Sequence, residues 1–322
     1  MVLVLKESQL RALVGIDKDS LDIVEKAFCW TAEGKVHMPP IMHISVPSNN
    51  GDIDIKSAYV EGLDTLTVKL GSGFLDNPGK GLPSSSATMV VLNTETGLCE
   101  AVLLENGYLT NLRTGMAGAV AAKYLAPEVV ETVGIIGAGA QARFQLECLR
   151  LVRDFESVIV HSRRRDQAEA YANEIRQTLG LVVRVSDSVE HLVRSSQVVI
   201  TTTPSSVPIV NHDWLHPGMH ITAVGADLAG KRELASGCLE RATFLACDSA
   251  AQCLSMGELQ YGIDADTPIH NEKLVEVGQL ASGNQTFTRA SVDITICDLT
   301  GMGVQDTAIA SLVMKKYRGA NI

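Results

Sequence analysis

Three cations, one acid and a glycine-rich turn are the parts of this chain best suited to chemistry. Thr132-Val-Gly-Ile-Ile-Gly-Ala-Gly-Ala-Gln-Ala-Arg-Phe-Gln-Leu146 is a short apolar run that ends in Gly137-x-Gly139-x-x-Ala142 and passes into a helix-like segment. A dinucleotide pyrophosphate needs that order. Gly137 permits the tight turn, Gly139 lets backbone reach the phosphates, and small Ala142 lets the helix pack on the strand with its N-terminus facing the anion. The next strand ends Val158-Ile-Val-His161-Ser162-Arg163-Arg164-Arg165. An Asp or Glu there would meet a free ribose 2′-hydroxyl, whereas Ser162 and the arginines suit a 2′-phosphate. NADP(H) is therefore favoured over NAD(H), the rival reading being that the arginines only open a solvated helix.

Arg113 stands in Gly107-Tyr-Leu-Thr-Asn-Leu-Arg-Thr-Gly115, just before the small-residue helix Met116–Ala122. A cation in a helix's first turn opposes the dipole and calls for an anionic partner. A substrate carboxylate, a cofactor phosphate or a structural salt bridge would each serve. Lys69 lies in Thr65-Leu-Thr-Val-Lys-Leu70, where Leu66, Val68 and Leu70 share one face and Lys69 points with Thr65 and Thr67. Taken alone, a strand lysine of this kind is expected in solvent, and Lys56 in Asp54-Ile-Lys-Ser57 is equally ambiguous. Asp227 follows an apolar run ending at Val224, where ligands of open parallel sheets bind. It could exchange a proton with a substrate or merely cap its loop.

These residues must be held by elements that the composition permits. The 322 residues are 46% hydrophobic, enough for two cored domains. A net charge of −10 argues against a nucleic-acid footprint or a polybasic membrane surface. No secretory pattern or bilayer-length apolar run is present, so a cytoplasmic protein is expected. Seven scattered cysteines without close pairs read as buried free thiols, with no metal site expected. In the first third, Asp17 opens a helix that Gly34 stops, and extended runs follow over 41–46, 53–60, 65–70, 88–93 and 101–105. This predicts a mainly antiparallel α+β domain. From Val133 on, strands at 133–136, 158–160, 182–185, 198–201 and 221–224 are interspersed with helices, which predicts a Rossmann-type, doubly wound parallel sheet. A last helix, 303–317, is expected to return to the first domain. The α/β division expected is residues 1–115, 116–300 and 301–322.

Together these segments resemble the ornithine cyclodeaminase/μ-crystallin family nearly end to end. The resemblance is carried by Gly34-Lys-Val-His-Met-Pro-Pro40, Val68-Lys-Leu70, Lys80-Gly-Leu-Pro83, Leu112-Arg-Thr-Gly-Met-Ala-Gly118 and Gly134–Gln141. It continues in Thr201-Thr-Thr-Pro204, Gly225–Leu234, Gly257-Glu258 and Asp298-Leu-Thr-Gly-Met-Gly-Val-Gln-Asp306. Members act on amino or imino acids: cyclodeaminases, alanine dehydrogenases, ketimine and cyclic-imine reductases, and dehydratases. The resemblance implies a homodimer in which the first domain serves dimerisation and substrate binding. It implies that Lys69, as a catalytic residue, contacts the substrate carboxylate or imine region, that Arg113 binds the carboxylate and that Asp227 handles the proton. It places the cofactor against Thr114, Gly137, Gly139, Ala140 and Gln141. Ser162, Arg163, Thr202, Thr203, Pro204, Val224, Gly225 and Asp227 complete that set.

Two departures stand out. Many relatives carry an arginine where this chain has Asp54, so one carboxylate anchor is missing or replaced by nearby Lys56. Cyclodeaminases tend to keep an acid after the second strand, where Ser162-Arg163 stands here. Asp54–Gly62 and Ser72–Pro78 are similar to the branch associated with ectoine utilisation, which implies a 2-imino acid with a polar side chain. The expected reaction is hydride transfer from NAD(P)H to C2 of a 2-imino acid. The rivals are a cyclodeaminase or dehydratase that reuses bound NAD, and a nucleotide-bound ligand carrier without turnover.

Overall fold

Hydrophobic periodicity and turn chemistry resolve this chain into two units. The computed structural model describes residues 2–262 and 274–320, and its units are Met1–Thr114 with Met302–Ile322, and Gly115–Gly301.

In the first unit a short α1 (Glu7–Leu13) precedes α2 (Lys18–Ala32), which Asp17 caps by accepting the Ser20 N–H at 2.9 Å and which buries Leu21, Val24, Ala27 and Phe28 at helical spacing. The sheet contains β1 (Leu3–Lys6), β2 (Val36–His37), β3 (Met42–Val46), β4 (Gly51–Val60), β5 (Thr65–Phe74), β6 (Ser85–Asn93) and β7 (Cys99–Leu104). Its order is β1-β7-β6-β5-β4-β2, with β3 also on β4; pairing is antiparallel except that β1 runs parallel to β7. The C-terminal helix (Gly303–Ala320) packs on α2, β4 and β5. Its first two turns are buried all round. Gly303 makes that seat possible: a Cβ there would fall 2.6 Å from the Ser57 carbonyl oxygen. Thr307 stitches the helix down by donating to the Ala58 carbonyl at 2.8 Å and accepting from the Thr67 N–H at 3.3 Å.

On β5 the residues under this helix are polar, beside buried Ala58, Met89 and Val91 on the flanking strands. Thr65, Thr67 and Lys69 are buried, whereas Leu70 is exposed, as are Met42 and Ile44 on β3. Met42, Ile55 and Leu70 lie in one cross-strand row, so an apolar stripe runs along the uncovered face.

α3 (Tyr108–Leu125) leads the chain into the second unit. There β8 (Thr132–Ile136), β9 (Ser157–His161), β10 (Val182–Val185), β11 (Val198–Thr201) and β12 (His220–Ala223) are joined by β13 (Phe244–Cys247), β14 (Leu274–Glu276) and β15 (Thr295–Asp298). All run parallel, in the order β10-β9-β8-β11-β12-β15-β13-β14. The order reverses between β8 and β11, and ligands of such sheets bind beyond the strand ends at that point. Cys148, Cys238, Cys247, Cys253 and Cys297 are buried free thiols, and Cys29 and Cys99 are half-buried. No helix among the described residues is long and apolar enough to cross a membrane.

Candidate active site

In the first unit, strand register sets Lys56 of β4 directly opposite Lys69 of β5. Like charges facing each other across strands are destabilising, more so when buried, and both lysines are buried. The solvent-facing expectation for Lys69 is corrected, because the helix from the far end of the chain covers the face that Lys69 shares with Thr65 and Thr67. Lys69 Nζ donates to Asp306 Oδ1 at 3.0 Å, with Oδ2 also at 3.0 Å. Arg113 comes from α3 and is buried as well; its Nε donates to Asp306 Oδ1 at 3.0 Å and its Nη1 to Gln305 Oε1 at 3.1 Å. One carboxylate thus serves two cations. The helix-dipole reasoning for Arg113 is also corrected: α3 begins at Tyr108, so Arg113 lies past its first turn and its need for an anion comes from burial.

The electrostatics follow from the same geometry. Burial, helped by the Arg113 charge, pushes Lys69 down to about 8, against the pull of Asp306. Burial alone would raise the Asp306 carboxyl, but Arg113 and Lys69 hold it below the usual carboxylate range. Glu105, fully buried after β7, accepts the Thr110 N–H and hydroxyl, and its burial raises its carboxyl. Asp54 meets His43 Nδ1 at 2.7 Å. The Thr114 hydroxyl donates to the Thr110 carbonyl of its own helix at 2.8 Å.

In the second unit the glycine turn joins β8 to α4 (Ala140–Leu149). Gly137 has φ +112° and donates to the His161 carbonyl at 2.8 Å, and a Cβ on it would collide with the Thr202 hydroxyl. Gly139 caps α4 with no side chain, and a Cβ there would meet nothing within 4 Å, so the space in front of the helix N-terminus at Gly139 is open. Ala142 is fully buried. This is a cradle into which a pyrophosphate fits. Beyond β9, Ser162 is half-buried and Arg163 exposed without an ion pair among the described residues. Arg164 reaches Asp166 only at 3.9 Å, whereas Arg165 is bound to Glu169 and Asp187.

The loops after β11 and β12 are pinned by a residue that sequence reasoning missed. Glu233, fully buried, accepts from the Thr201 hydroxyl at 2.6 Å, the Thr203 N–H at 2.6 Å, the Thr203 hydroxyl at 2.7 Å and the Gly225 N–H at 2.8 Å. Thr202 meanwhile donates to the Ile136 carbonyl at 3.2 Å, so Thr202, Thr203 and Gly225 are brought together at the strand ends, with Pro204 and Val224 next to them. Glu258 in turn accepts the N–H groups of Glu233 and Leu234 at 2.6 and 3.0 Å, and burial pushes its carboxyl up to about 7. Asp227, half-exposed in the loop after β12, accepts from Lys231 at 2.5 Å. Gln305, Asp306, Glu233 and Glu258 all lie in quoted motifs. Only Glu258, between Gly257 and Leu259, has small or apolar neighbours on both sides; the chain neighbours of the other three give no sign of their burial.

A family model for the ornithine cyclodeaminase/mu-crystallin family matches residues 2–321. A Rhizobium meliloti (strain 1021) protein bearing a dehydrogenase name is 41% identical over 318 residues, 99% of this chain and 96% of its own length. The iminosuccinate reductase of Paracoccus denitrificans (strain Pd 1222) is 29% identical over 320 residues, 99% of this chain and 98% of its own length. Among solved structures, an archaeal alanine dehydrogenase dimer with bound NAD superposes with TM-score 0.89 at 33% identity, covering 100% of this chain and 97% of that one. The Thermococcus litoralis Δ1-pyrroline-2-carboxylate reductase in complex with NADH and L-proline gives TM-score 0.89 at 29% identity, covering 100% and 99%.

Proposed function

This chain belongs to the ornithine cyclodeaminase/mu-crystallin family, and we propose that it is an NAD(P)H-dependent reductase of a 2-imino acid, yielding an amino acid. One observation carries the reading. Two buried cations, Lys69 and Arg113, share the single carboxylate of Asp306, and Lys56 is the residue paired with Lys69 on the neighbouring strand. Two buried cations on one carboxylate keep donors to spare for a second anion, and a substrate carboxylate is the anion that an imino acid brings. Held by Lys69 and Arg113, the imine carbon has one orientation, which replaces a chance encounter with an effectively intramolecular one. The cations also favour the compact anionic end of the substrate over neutral imines.

The cofactor would rest on Gly137, Gly139, Ala140 and Gln141, beside Thr202–Pro204, Val224 and Gly225, with Thr114 also assigned to it. When bound, it supplies the hydride. Exposed Arg163 beside Ser162 supports NADP(H) over NAD(H), since a guanidinium without an ion pair pairs well with a 2′-phosphate. Asp227, held by Lys231, is assigned to the substrate nitrogen as ionic partner and proton donor or acceptor. The Met42–Ile55–Leu70 stripe supports a homodimer, because an apolar face of a sheet is normally covered. A cytoplasmic location fits the reduced thiols.

The test mixes purified protein with NADPH or NADH and a panel of 2-oxo acids plus ammonia or amines, and cyclic imines. Consumption of reduced cofactor with formation of the amino acid is the expected result. Loss of ammonia or water from an amino acid with the cofactor unchanged would overturn the reading in favour of a cyclodeaminase or dehydratase. Ligand binding with no product at all would overturn it in favour of a carrier.

A further inference from the structure

Asp306 lies outside every role assigned so far, yet it holds the cation pair together. It reaches the pair from the C-terminal helix, 237 residues along the chain from Lys69 and 193 from Arg113. Its place is fixed three times over. Gly303 lets the helix settle on the backbone at Ser57, Thr307 ties it to Ala58 and Thr67, and the carboxylate is fully buried. In the helix's first turns an acid also agrees with the dipole.

We propose that Asp306 is a positioning residue: it fixes Lys69 and Arg113 as one unit, so that the Nη2 edge of the guanidinium and the remaining ammonium N–H groups are presented together to the substrate carboxylate. This deepens the reading of Lys69 and Arg113 as the carboxylate anchor and rests on it. The hydrogen-bond inventory supports it. Arg113 spends Nε on Asp306 and Nη1 on Gln305, and Nη2 has no partner among the described residues. Because guanidinium groups only donate, the Gln305 carbonyl must face Arg113. That leaves the Gln305 amide nitrogen, itself buried, as a further donor without a partner among the described residues. Two cations this close would repel and splay apart if the carboxylate were absent. The charged groups acting on Lys69 are Asp306 from the C-terminal helix, Arg113 from α3, Lys56 from β4 and Glu105 after β7; Asp306 is bonded to it directly.

The experiment compares wild type with Asp306→Asn and Asp306→Glu. The side-chain nitrogen resonances of ¹⁵N-labelled lysine are followed against pH, with Lys69 assigned through Lys69→Met. In Asp306→Asn the Lys69 midpoint should fall by about one pH unit or more, because the only anion bonded directly to it among the described residues is gone. In Asp306→Glu the charge stays but is displaced by one methylene. The midpoint should stay near the wild-type one, while KM for the imino acid rises about tenfold or more and KM for the cofactor is unchanged. A Lys69 midpoint unmoved in folded Asp306→Asn would overturn the proposal. So would an unchanged imino-acid KM in Asp306→Glu, which also decides the matter if Asp306→Asn does not fold. The lysine titration needs no turnover. A wild type that reduces no imine, yet shows the Lys69 shift in Asp306→Asn, therefore defeats the reductase reading and leaves the coupling of Asp306 to Lys69 standing.

Discussion

Raising the pH from about 7 to about 9 should disarm the carboxylate anchor through one residue. Lys69 is pushed down to about 8 by burial and by the Arg113 charge. Its ammonium is then protonated in roughly nine molecules of ten at pH 7 and in about one of eleven at pH 9, so kcat/KM for the imino acid should fall about tenfold across that interval. The direction follows from the charge: the protonated lysine is the form that attracts a carboxylate. A bound carboxylate adds a second anion beside the ammonium and stabilises its proton, so the corresponding limb in kcat should lie at higher pH than that in kcat/KM. The control is Lys69→Met, which keeps length and apolar bulk but removes the charge. Truncating one partner of a buried charged pair costs about 2–5 kcal/mol, or roughly 30- to 5,000-fold in kcat/KM. Arg113 remains to neutralise Asp306, so the variant should fold. The assay is initial-rate reduction of a saturable imino acid at fixed, saturating cofactor across the pH range, for both proteins. An alkaline limb that persists in Lys69→Met, or a loss that appears in cofactor KM instead, would refute the assignment.

Three further outcomes are expected. Gly137→Ala should abolish measurable cofactor binding by calorimetry while leaving the imino-acid anchor intact, because φ +112° and the Thr202 hydroxyl both exclude a Cβ; undiminished binding would remove the glycine turn from the site. Arg163→Ala should raise KM for NADPH about tenfold or more, the worth of a charge-assisted hydrogen bond, and leave KM for NADH alone; an equal change for both cofactors would return Arg163 to the solvated-helix reading. Glu258 concerns stability. Its folded carboxyl is raised to about 7 from 4.5, so the fold retains a proton that the unfolded chain loses between those values. Its contribution is therefore present below about pH 4.5 and is lost as pH rises towards 7, by roughly 3 kcal/mol. Denaturation midpoints at about pH 5 and pH 7.5 should differ less in Glu258→Gln than in wild type, and identical differences would contradict the burial argument.

The parallel sheet was legible because each βα unit of a nucleotide fold repeats the same local signals: apolar strand, turn, helix. β8 to β12 and the glycine turn could be placed to within a residue or two. β13, β14 and β15 were not read as strands, nor was β1, whose four residues run straight into a helix. The polar cluster shows a deeper limit. Alternation along β5 correctly grouped Lys69 with Thr65 and Thr67, yet a period of two states which residues share a face, never which face is covered. That depended on a helix more than two hundred residues downstream. Local rules, with apolar Leu66, Val68 and Leu70 on the other side, pointed the wrong way.

That failure is itself informative. A sheet that buries threonines and two facing lysines, while leaving Leu70 and Met42 uncovered, is a poor solution for an isolated first unit. Replacing the ionic cluster of Lys56, Lys69, Arg113 and Asp306 by apolar side chains of similar volume would, on general grounds, cost little stability or even add some. The cluster therefore owes its presence to something other than folding. A fold departs from its own local rules where chemistry requires it, and here both departures sit on one strand. The buried face of β5 carries the charge from which an anion site is proposed, and its open face carries the apolar stripe from which a dimer is proposed. If the two were independent, a polar substitution at Leu70 that kept the chain monomeric would leave the affinity for the imino acid untouched. If the open face is braced by its partner, β5 would loosen and Lys69 would move with it, since the two residues are adjacent on the same strand.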